Sequence, residues 1–231
     1  MSGREAQKRA AAERAADYVA SGMRLGLGTG STAQHLLDVL GERLRAGTLR
    51  DVAGVPTSRA TADYARRCGI ALLELDDAPR LDLAIDGADE VDPQLNLIKG
   101  LGGALLWEKI VESAAARFVV IVDESKLVRR LGTKAPVPVE VVSFGWRALL
   151  PRFEALGAVP ALRQSAEGQP FVTDGGHYIV DCRFPDGIDD PAEAATRLRA
   201  WAGVVETGLF VGMATEVVVA GEQVRVLVAG E

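Results

Sequence analysis

Short apolar runs alternate with longer amphipathic stretches in the first half of the chain. The runs are rich in Val, Ile and Leu and predict strands at residues 24–27, 71–75, 81–85 and 118–122. The stretches between them have helical spacing at residues 32–45, 58–68 and 104–116. Strands that are apolar throughout, with no polar alternation, are typical of a sheet covered on both faces. The pattern therefore predicts an α/β fold with a mostly parallel sheet and helices on both faces.

The pattern changes near Gly132, where Gly132, Pro136 and Pro138 punctuate the chain before an extended apolar segment. Beyond them the sequence predicts helices at 144–156 and 191–202, and one or two strands within 171–184. This order favours a smaller α+β domain. The strand-rich end of the chain could return to the first sheet. We therefore place the first domain at 1–130 and 206–231 and the second at 131–205.

The net charge argues against a polyanionic partner. The 231 residues include 26 basic and 32 acidic side chains, which gives a formal charge of -6. That sign is wrong for a protein that holds nucleic acid by counterion release. An anionic substrate would have to be held locally, by a few lysines and by backbone N–H groups.

Cysteine usage and hydropathy indicate a cytoplasmic protein with no membrane partner. Cys68 and Cys182 lie far apart, without CxxC spacing or nearby histidines, which disfavours a disulfide framework and a zinc site. The charged N-terminal segment lacks the apolar core of a signal peptide. Later apolar stretches are too short to span a bilayer, or are interrupted by Glu206 and Glu216.

The segment GLGTGSTA, residues 26–33, joins a predicted strand to a predicted helix. In α/β folds this is where backbone N–H groups and the helix dipole converge on an anion. Thr29, Ser31 and Thr32 would supply hydroxyl donors and a helix N-cap. A dinucleotide fingerprint would need glycine in place of Ser31, and a P-loop would need a Gly-Lys pair. The segment favours a small phosphate ester, and the alternative is a glycine turn with a capping serine.

A second segment, IDGADEVD at residues 85–92, crowds acidic side chains after a predicted strand. Open α/β sheets bind ligands at strand ends, so these side chains indicate acid-base chemistry or a divalent-ion site. Neither histidine lies near and the spacing is not that of an EF-hand. A solvated acidic turn is the structural alternative.

The third segment, KGLGGALLWEK at residues 99–109, combines a lysine, a glycine-rich turn and a glutamate at a helix start. Lys99 could hold developing negative charge, and the glycines let backbone amides approach an oxyanion. Glu108 has apolar neighbours in the sequence, and partial desolvation would make it a better base at neutral pH. An amphipathic helix with an exposed Glu108-Lys109 pair remains the alternative.

Together with TSRAT at 57–61 and DESKLVRRLG at 123–132, these segments resemble the type A ribose-5-phosphate isomerase family over nearly the whole chain. The resemblance implies a Rossmann-like first domain that the C-terminal strands rejoin, and an inserted, ferredoxin-like α+β domain. It also implies cofactor-free and metal-free aldose-ketose isomerisation of a sugar phosphate, and a homodimer or homotetramer.

The resemblance also assigns roles residue by residue. The catalytic acids match Asp86 and Asp89, the lysine matches Lys99 and the general base matches Glu108. The substrate-binding positions match Thr29, Gly30, Ser31, Thr32, Asp86, Gly87, Ala88, Asp89, Lys99, Gly100, Leu101, Gly102, Lys126 and Lys8. Leu101 departs from the glycine or arginine that is common in the family. Ser58 and Arg59 are weaker candidates.

Two other function classes share related architecture. A non-catalytic phosphosugar sensor would need a DNA-binding module. The phosphate loop begins by residue 26, so we expect no helix-turn-helix before it. A coenzyme A transferase would also use a glutamate, but the order of the five motifs argues against it. We therefore expect an isomerase that interconverts ribose 5-phosphate and ribulose 5-phosphate through an enediolate.

Overall fold

The computed structural model describes residues 3–228. The helices are α1 (Gly3–Ala16), α2 (Ser31–Arg45), α3 (Arg59–Arg67), α4 (Leu105–Ser113), α5 (Leu150–Ala155) and α6 (Pro191–Arg199). The strands are β1 (Arg24–Leu27), β2 (Ala53–Pro56), β3 (Ala71–Leu72), β4 (Leu83–Asp86), β5 (Glu90–Val91), β6 (Leu97–Ile98), β7 (Phe118–Asp123), β8 (Val137–Val141), β9 (Val159–Leu162), β10 (Tyr178–Arg183), β11 (Val204–Thr207), β12 (Leu209–Phe210), β13 (Glu216–Ala220) and β14 (Val224–Val228). They form two compact units.

Unit 1 comprises the described parts of Met1–Ala88, Trp107–Lys126 and Met213–Glu231. Its seven-stranded sheet has the order β14-β13-β7-β4-β1-β2-β3. Neighbouring strands are parallel except for the β13–β14 pair. Because β13 pairs with β7, the end of the chain returns to the first sheet, as the sequence suggested. The predicted α/β fold with a mostly parallel sheet is confirmed.

Both faces of this sheet are covered. On one face, Leu25 and Leu27 of β1 belong to the core that also holds Leu36 of α2 and the buried alanines of α1. Side chains alternate along a strand, so Gly26 faces the other way. A Cβ atom on Gly26 would lie 2.9 Å from Cγ1 of Val111 in α4. The sequence pattern of strands apolar on both faces therefore reflects helices on both sides.

Unit 2 comprises Asp89–Leu106 and Leu127–Gly212. The order β8-α5-β9-β10-α6-β11 forms an antiparallel sheet arranged β11-β8-β10-β9, which is the ferredoxin-like order. Its core includes the fully buried Phe153, Val139 and Leu198. A separate three-stranded sheet, β12-β6-β5, lies in the same unit. The sequence-based division into domains at 130/131 and 205/206 stays a prediction.

Two predicted elements differ from the structure. The predicted strand 71–75 is only the two residues of β3. The predicted helix 144–156 is a 3-10 turn, Trp146–Leu149, followed by α5. Pro151 lies in the first turn of α5 and has no N–H to donate, so it begins a helix better than it continues one. None of the described helices is long and apolar enough to cross a bilayer.

Candidate active site

The loop after β1 lies against the carboxylate that ends β4. These strands are parallel neighbours, so their carboxyl ends meet at one edge of the sheet. Asp86 is 1% exposed, and its Oδ1 accepts hydrogen bonds from the amides of Thr29 (3.0 Å) and Gly87 (2.6 Å). The GLGTGSTA loop and the acidic IDGADEVD segment therefore meet at Asp86.

Four hydroxyl groups hold this loop against the start of α3. Thr29 Oγ1 lies 2.7 Å from Thr57 Oγ1, 2.9 Å from Ser58 Oγ and 2.9 Å from Thr61 Oγ1. The Thr61 hydroxyl also donates to the Gly28 carbonyl at 3.1 Å. The TSRAT segment thus supports the loop through side chains whose role the sequence alone did not indicate.

Helix α2 begins at Ser31, and its N-cap is Gly30. Gly30 has φ 110°, a conformation that favours glycine, and no side chain caps the helix. The predicted cap from Thr29, Ser31 or Thr32 is therefore wrong. The first amides of an α-helix have no carbonyl partner within the helix, and here they follow an exposed glycine. This end of α2 has the chemistry to bind an anion.

Lys8 of α1 lies beside this helix start. Its Nζ donates to Ser31 Oγ at 2.9 Å and to Glu5 Oε1 at 2.7 Å. Glu5 Oε2 lies 2.9 Å from His35 Nε2. The hydrogen bonds from Lys8 and then from His35 hold the pKa of Glu5 below its usual value. The fold thus brings a lysine from a distant part of the sequence to the loop.

Two further candidates belong to unit 1. Glu108 lies in the first turn of α4 and is 4% exposed, so it is buried as its apolar neighbours predicted. The structural alternative of an exposed Glu108 is thereby excluded. Lys126 ends the 3-10 turn that follows β7. Because β7 neighbours β4, Lys126 follows its strand at the same edge as Asp86.

In unit 2, the glycine-rich turn after β6 lies against Asp89. Asp89 Oδ2 accepts a hydrogen bond from the Leu101 amide at 3.0 Å. The Gly103 amide donates to the Gly100 carbonyl at 3.0 Å, and both glycines have positive φ, 84° and 99°. These bonds give the turn a fixed shape.

Lys99 directly precedes this turn and is buried, 2% exposed. Its amide donates to the Gly208 carbonyl at 2.9 Å, and its Nζ lies 5.5 Å from the centroid of the Phe210 ring. The main chain of Lys99 is thus bound to the segment that leads into β12.

Each unit therefore assembles its own group of the predicted residues. Unit 1 holds Lys8, Thr29, Gly30, Ser31, Thr32, Asp86, Gly87, Ala88, Glu108 and Lys126, and unit 2 holds Asp89, Lys99, Gly100, Leu101 and Gly102. The chain passes between the units at Ala88–Asp89, at Leu106–Trp107 and at Lys126–Leu127, inside three of the motifs. Within residues 3–228, no group of three His, Cys, Asp or Glu side chains is placed to hold a metal ion.

Comparison with known proteins identifies relatives over nearly the full length. The family model for ribose 5-phosphate isomerase A (phosphoriboisomerase A) matches residues 53–224. Ribose-5-phosphate isomerase A of Synechococcus sp. (strain JA-3-3Ab) is 54% identical over 96% of this chain and 96% of its own length. Its counterpart from Roseiflexus castenholzii is 57% identical over 93% of this chain and 91% of its own length.

Solved structures give the same result. A D-ribose-5-phosphate isomerase in complex with phospho-erythronic acid is 42% identical, with a TM-score of 0.96 over 98% of this chain and 99% of the other. Ribose 5-phosphate isomerase A from Methanocaldococcus jannaschii is 40% identical, with a TM-score of 0.92 over 97% of this chain and 99% of the other. The predicted resemblance is confirmed.

Proposed function

The chain belongs to the ribose 5-phosphate isomerase A family and interconverts ribose 5-phosphate and ribulose 5-phosphate, and from this premise we propose which of its residues bind and transform the sugar. The observation that carries the activity is the similarity over nearly the whole chain to isomerases of that name. The residue roles below are supported by the geometry within each unit.

The substrate phosphate binds at the start of α2. The amides of residues 30–32 and the hydroxyl groups of Ser31 and Thr32 donate to its oxygens, and Lys8 and Lys126 supply positive charge. The Thr29 side chain fixes the loop and its amide holds Asp86. Because the phosphate is remote from the reacting carbons, its binding energy positions C2 against the base.

Glu108 is the general base. The open-chain aldose loses the proton on C2 to a carboxylate, and the resulting carboxyl group, whose proton exchanges in part with solvent, returns a proton to C1 of the enediolate. The C2 oxygen becomes the ketone and the C1 oxygen becomes a hydroxyl. Burial of Glu108 shields this proton transfer from water. The reaction moves protons within one substrate and requires no external oxidant, so we propose that it uses neither a cofactor nor a metal ion.

Lys99 and the turn that follows it stabilise the enediolate. The Leu101 amide donates to Asp89 and the Gly103 amide donates to Gly100, so the turn offers the amides of Gly100 and Gly102 to an oxyanion. Asp89 and Asp86, together with the Gly87 and Ala88 backbone, bind substrate hydroxyl groups. The two carboxylates also move hydroxyl protons and assist ring opening.

We further propose a cytoplasmic homodimer or homotetramer that binds a small sugar phosphate, with neither nucleic acid nor a membrane as partner. The net charge of -6 supports the exclusion of nucleic acid. Size-exclusion chromatography with light scattering measures the oligomeric state directly.

A single NMR experiment tests the proposed chemistry. The protein is incubated with ribose 5-phosphate in D₂O containing EDTA, and both ribulose 5-phosphate and deuterium incorporation are followed. Conversion with solvent deuterium at the reacting carbons supports a metal-independent enediolate. Conversion that is lost in EDTA and restored by a divalent cation contradicts the proposed metal-free reaction. Conversion by a Glu108→Gln variant at half the wild-type rate contradicts the proposed base.

A further inference from the structure

Arg163 of unit 2 binds two backbone carbonyls of the turn that follows Lys99. Its Nη1 donates to the Gly100 carbonyl at 2.8 Å and to the Leu101 carbonyl at 3.0 Å. None of the sequence motifs includes Arg163, which lies 63 and 62 positions from these partners. The contact is therefore a product of the tertiary fold.

The guanidinium group is itself held in place. Arg163 Nε donates to Asp181 Oδ2 at 2.9 Å, and Nη2 donates to Asp181 Oδ1 at 2.5 Å. The Arg163 side chain is 12% exposed, and its amide donates to the Ile179 carbonyl at 2.8 Å. An ion pair with two parallel hydrogen bonds fixes both position and plane, which a lysine cannot reproduce.

Phe171 supports the far end of the same turn. A Cβ atom on Gly103 would lie 2.5 Å from Cζ of the Phe171 ring, so the ring packs directly on the glycine backbone. The Phe171 amide donates to the Arg163 carbonyl at 2.9 Å. The ring and the guanidinium group therefore belong to one hydrogen-bonded segment that contacts both ends of the turn.

The two carbonyls that Arg163 binds determine the directions of two backbone N–H groups. A trans peptide unit is planar, and its C=O and N–H point in opposite directions. The Gly100 carbonyl shares its peptide unit with the Leu101 N–H, which donates to Asp89. The Leu101 carbonyl shares its unit with the Gly102 N–H. By holding both carbonyls, Arg163 directs both N–H groups to the opposite side of the turn.

We propose that Arg163, held by Asp181, is a positioning residue that orients the Leu101 amide toward Asp89 and the Gly102 amide toward the enediolate. A cationic donor on a carbonyl also polarises the peptide unit and strengthens its N–H as a donor. The inference rests on the proposed function, because it requires the turn to be the site where negative charge develops.

The test compares Arg163→Gln, Arg163→Lys and Asp181→Asn with Arg183→Gln, an exposed arginine two residues after Asp181 in β10. We expect Arg163→Gln to lower kcat about 10- to 100-fold, since misplacing a group by about 1 Å costs that order of rate. Arg163→Lys keeps the charge and loses the two parallel hydrogen bonds of the guanidinium group. Its kcat should therefore fall between that of the wild type and that of Arg163→Gln. Asp181→Asn lowers kcat in the same direction by a smaller factor.

Inhibition by two anions separates positioning from general structural damage. Phospho-erythronic acid carries a carboxylate that stands in for the enediolate oxygens, and we expect its Ki to rise about 10-fold in Arg163→Gln, in line with the loss of an oriented donor. Inorganic phosphate probes only the loop at α2, and its Ki stays unchanged. Thermal unfolding verifies that each variant is folded. If Arg163→Gln does not fold, Arg163→Lys and Asp181→Asn are compared with the wild type in its place.

Glu108→Gln is measured in parallel. A kcat for folded Arg163→Lys and Asp181→Asn equal to that of Arg183→Gln overturns the inference, as does a proportional rise in both inhibition constants. If Glu108→Gln is inactive while the Arg163 variants are fully active, only the inference fails. If Glu108→Gln is fully active, the proposed base fails independently of Arg163.

Discussion

A Cβ atom on Gly28 would lie 2.2 Å from Oδ1 of Asp86 and 2.6 Å from its Cα. The loop after β1 therefore passes directly against a buried carboxylate and the backbone that carries it. The side chain of any other residue at position 28 would displace one of them. The phosphate loop and the proposed acid are coupled sterically as well as through the bond from the Thr29 amide.

Replacing Gly28 by alanine should therefore impair both stability and activity. The overlap involves backbone, so we expect about 1–3 kcal/mol of destabilisation, the usual cost of overpacking. Displacement of Asp86 should lower kcat/KM about 10- to 100-fold. Urea unfolding and steady-state kinetics measure the two effects. Gly3→Ala is the control, because a Cβ there meets no atom within 4 Å. Equal activity in the two variants would show that the close approach is not required.

Substitution of Glu108 by glutamine tests the proposed base. The amide cannot accept the C2 proton, so kcat should fall about 10²- to 10⁴-fold. KM should change little, because the phosphate subsite is intact. Glu112→Gln is the matched control, a carboxyl group one turn later in α4 and also buried, 3% exposed. An equal loss in the control would assign the effect to the packing of α4 rather than to proton transfer.

The Lys8→Ala variant tests the proposed phosphate subsite. Lys8 Nζ contacts Ser31 at the start of α2, so we expect its loss to raise KM about 10-fold, the value of a hydrogen bond to a charged group. The kcat should stay near that of the wild type, because the phosphate does not react. Arg4→Ala removes the same charge from an exposed position of α1 and is the control. An unchanged KM in Lys8→Ala would show that the hydrogen bonds of this side chain to Glu5 and Ser31 do not contribute to substrate binding.

The sequence predicted the long buried elements and missed the short ones. All six residues of β7 are buried, and a run of that length and hydropathy indicates a central strand without further information. Strands β6 and β12 have two residues each, and Phe210 pairs with Leu97 across more than a hundred positions. Two residues carry no periodicity, so pairing over that distance is determined only by the folded chain.

The site shows the same contrast. Asp86 ends β4 and lies within a motif, so local sequence was sufficient to place its carboxylate at the carboxyl end of a strand. Arg163 lies in no motif, and its contact with the Gly100 carbonyl depends on how the β9–β10 hairpin packs. The N-cap of α2 was predicted wrongly because hydroxyl residues are common caps. In this loop the backbone at the cap position has a positive φ, which favours glycine, and Gly30 occupies it.

The ion pair between Glu216 and Arg117 should make the free energy of unfolding depend on pH in the acid range. Burial raises the pKa of Glu216, but hydrogen bonds from Tyr18 and Arg117 outweigh it and hold that pKa below its usual value of 4.5. The Tyr18 hydroxyl lies 2.7 Å from Oε2. A carboxyl group whose pKa is lowered in the folded state stabilises that state when ionised. Its contribution is complete above pH 4.5 and is lost as the pH falls through the folded value.

Glu216→Gln should therefore have a lower Tm than the wild type between pH 6 and 8, and the difference should shrink below about pH 4.5. Glu222→Gln, in the exposed turn between β13 and β14, should match the wild type at every pH. Other carboxyl groups titrate in all three proteins, so the difference in Tm isolates Glu216. A difference that is constant from pH 7 to pH 3 would mean that shape and packing at this position, rather than charge, determine the stability.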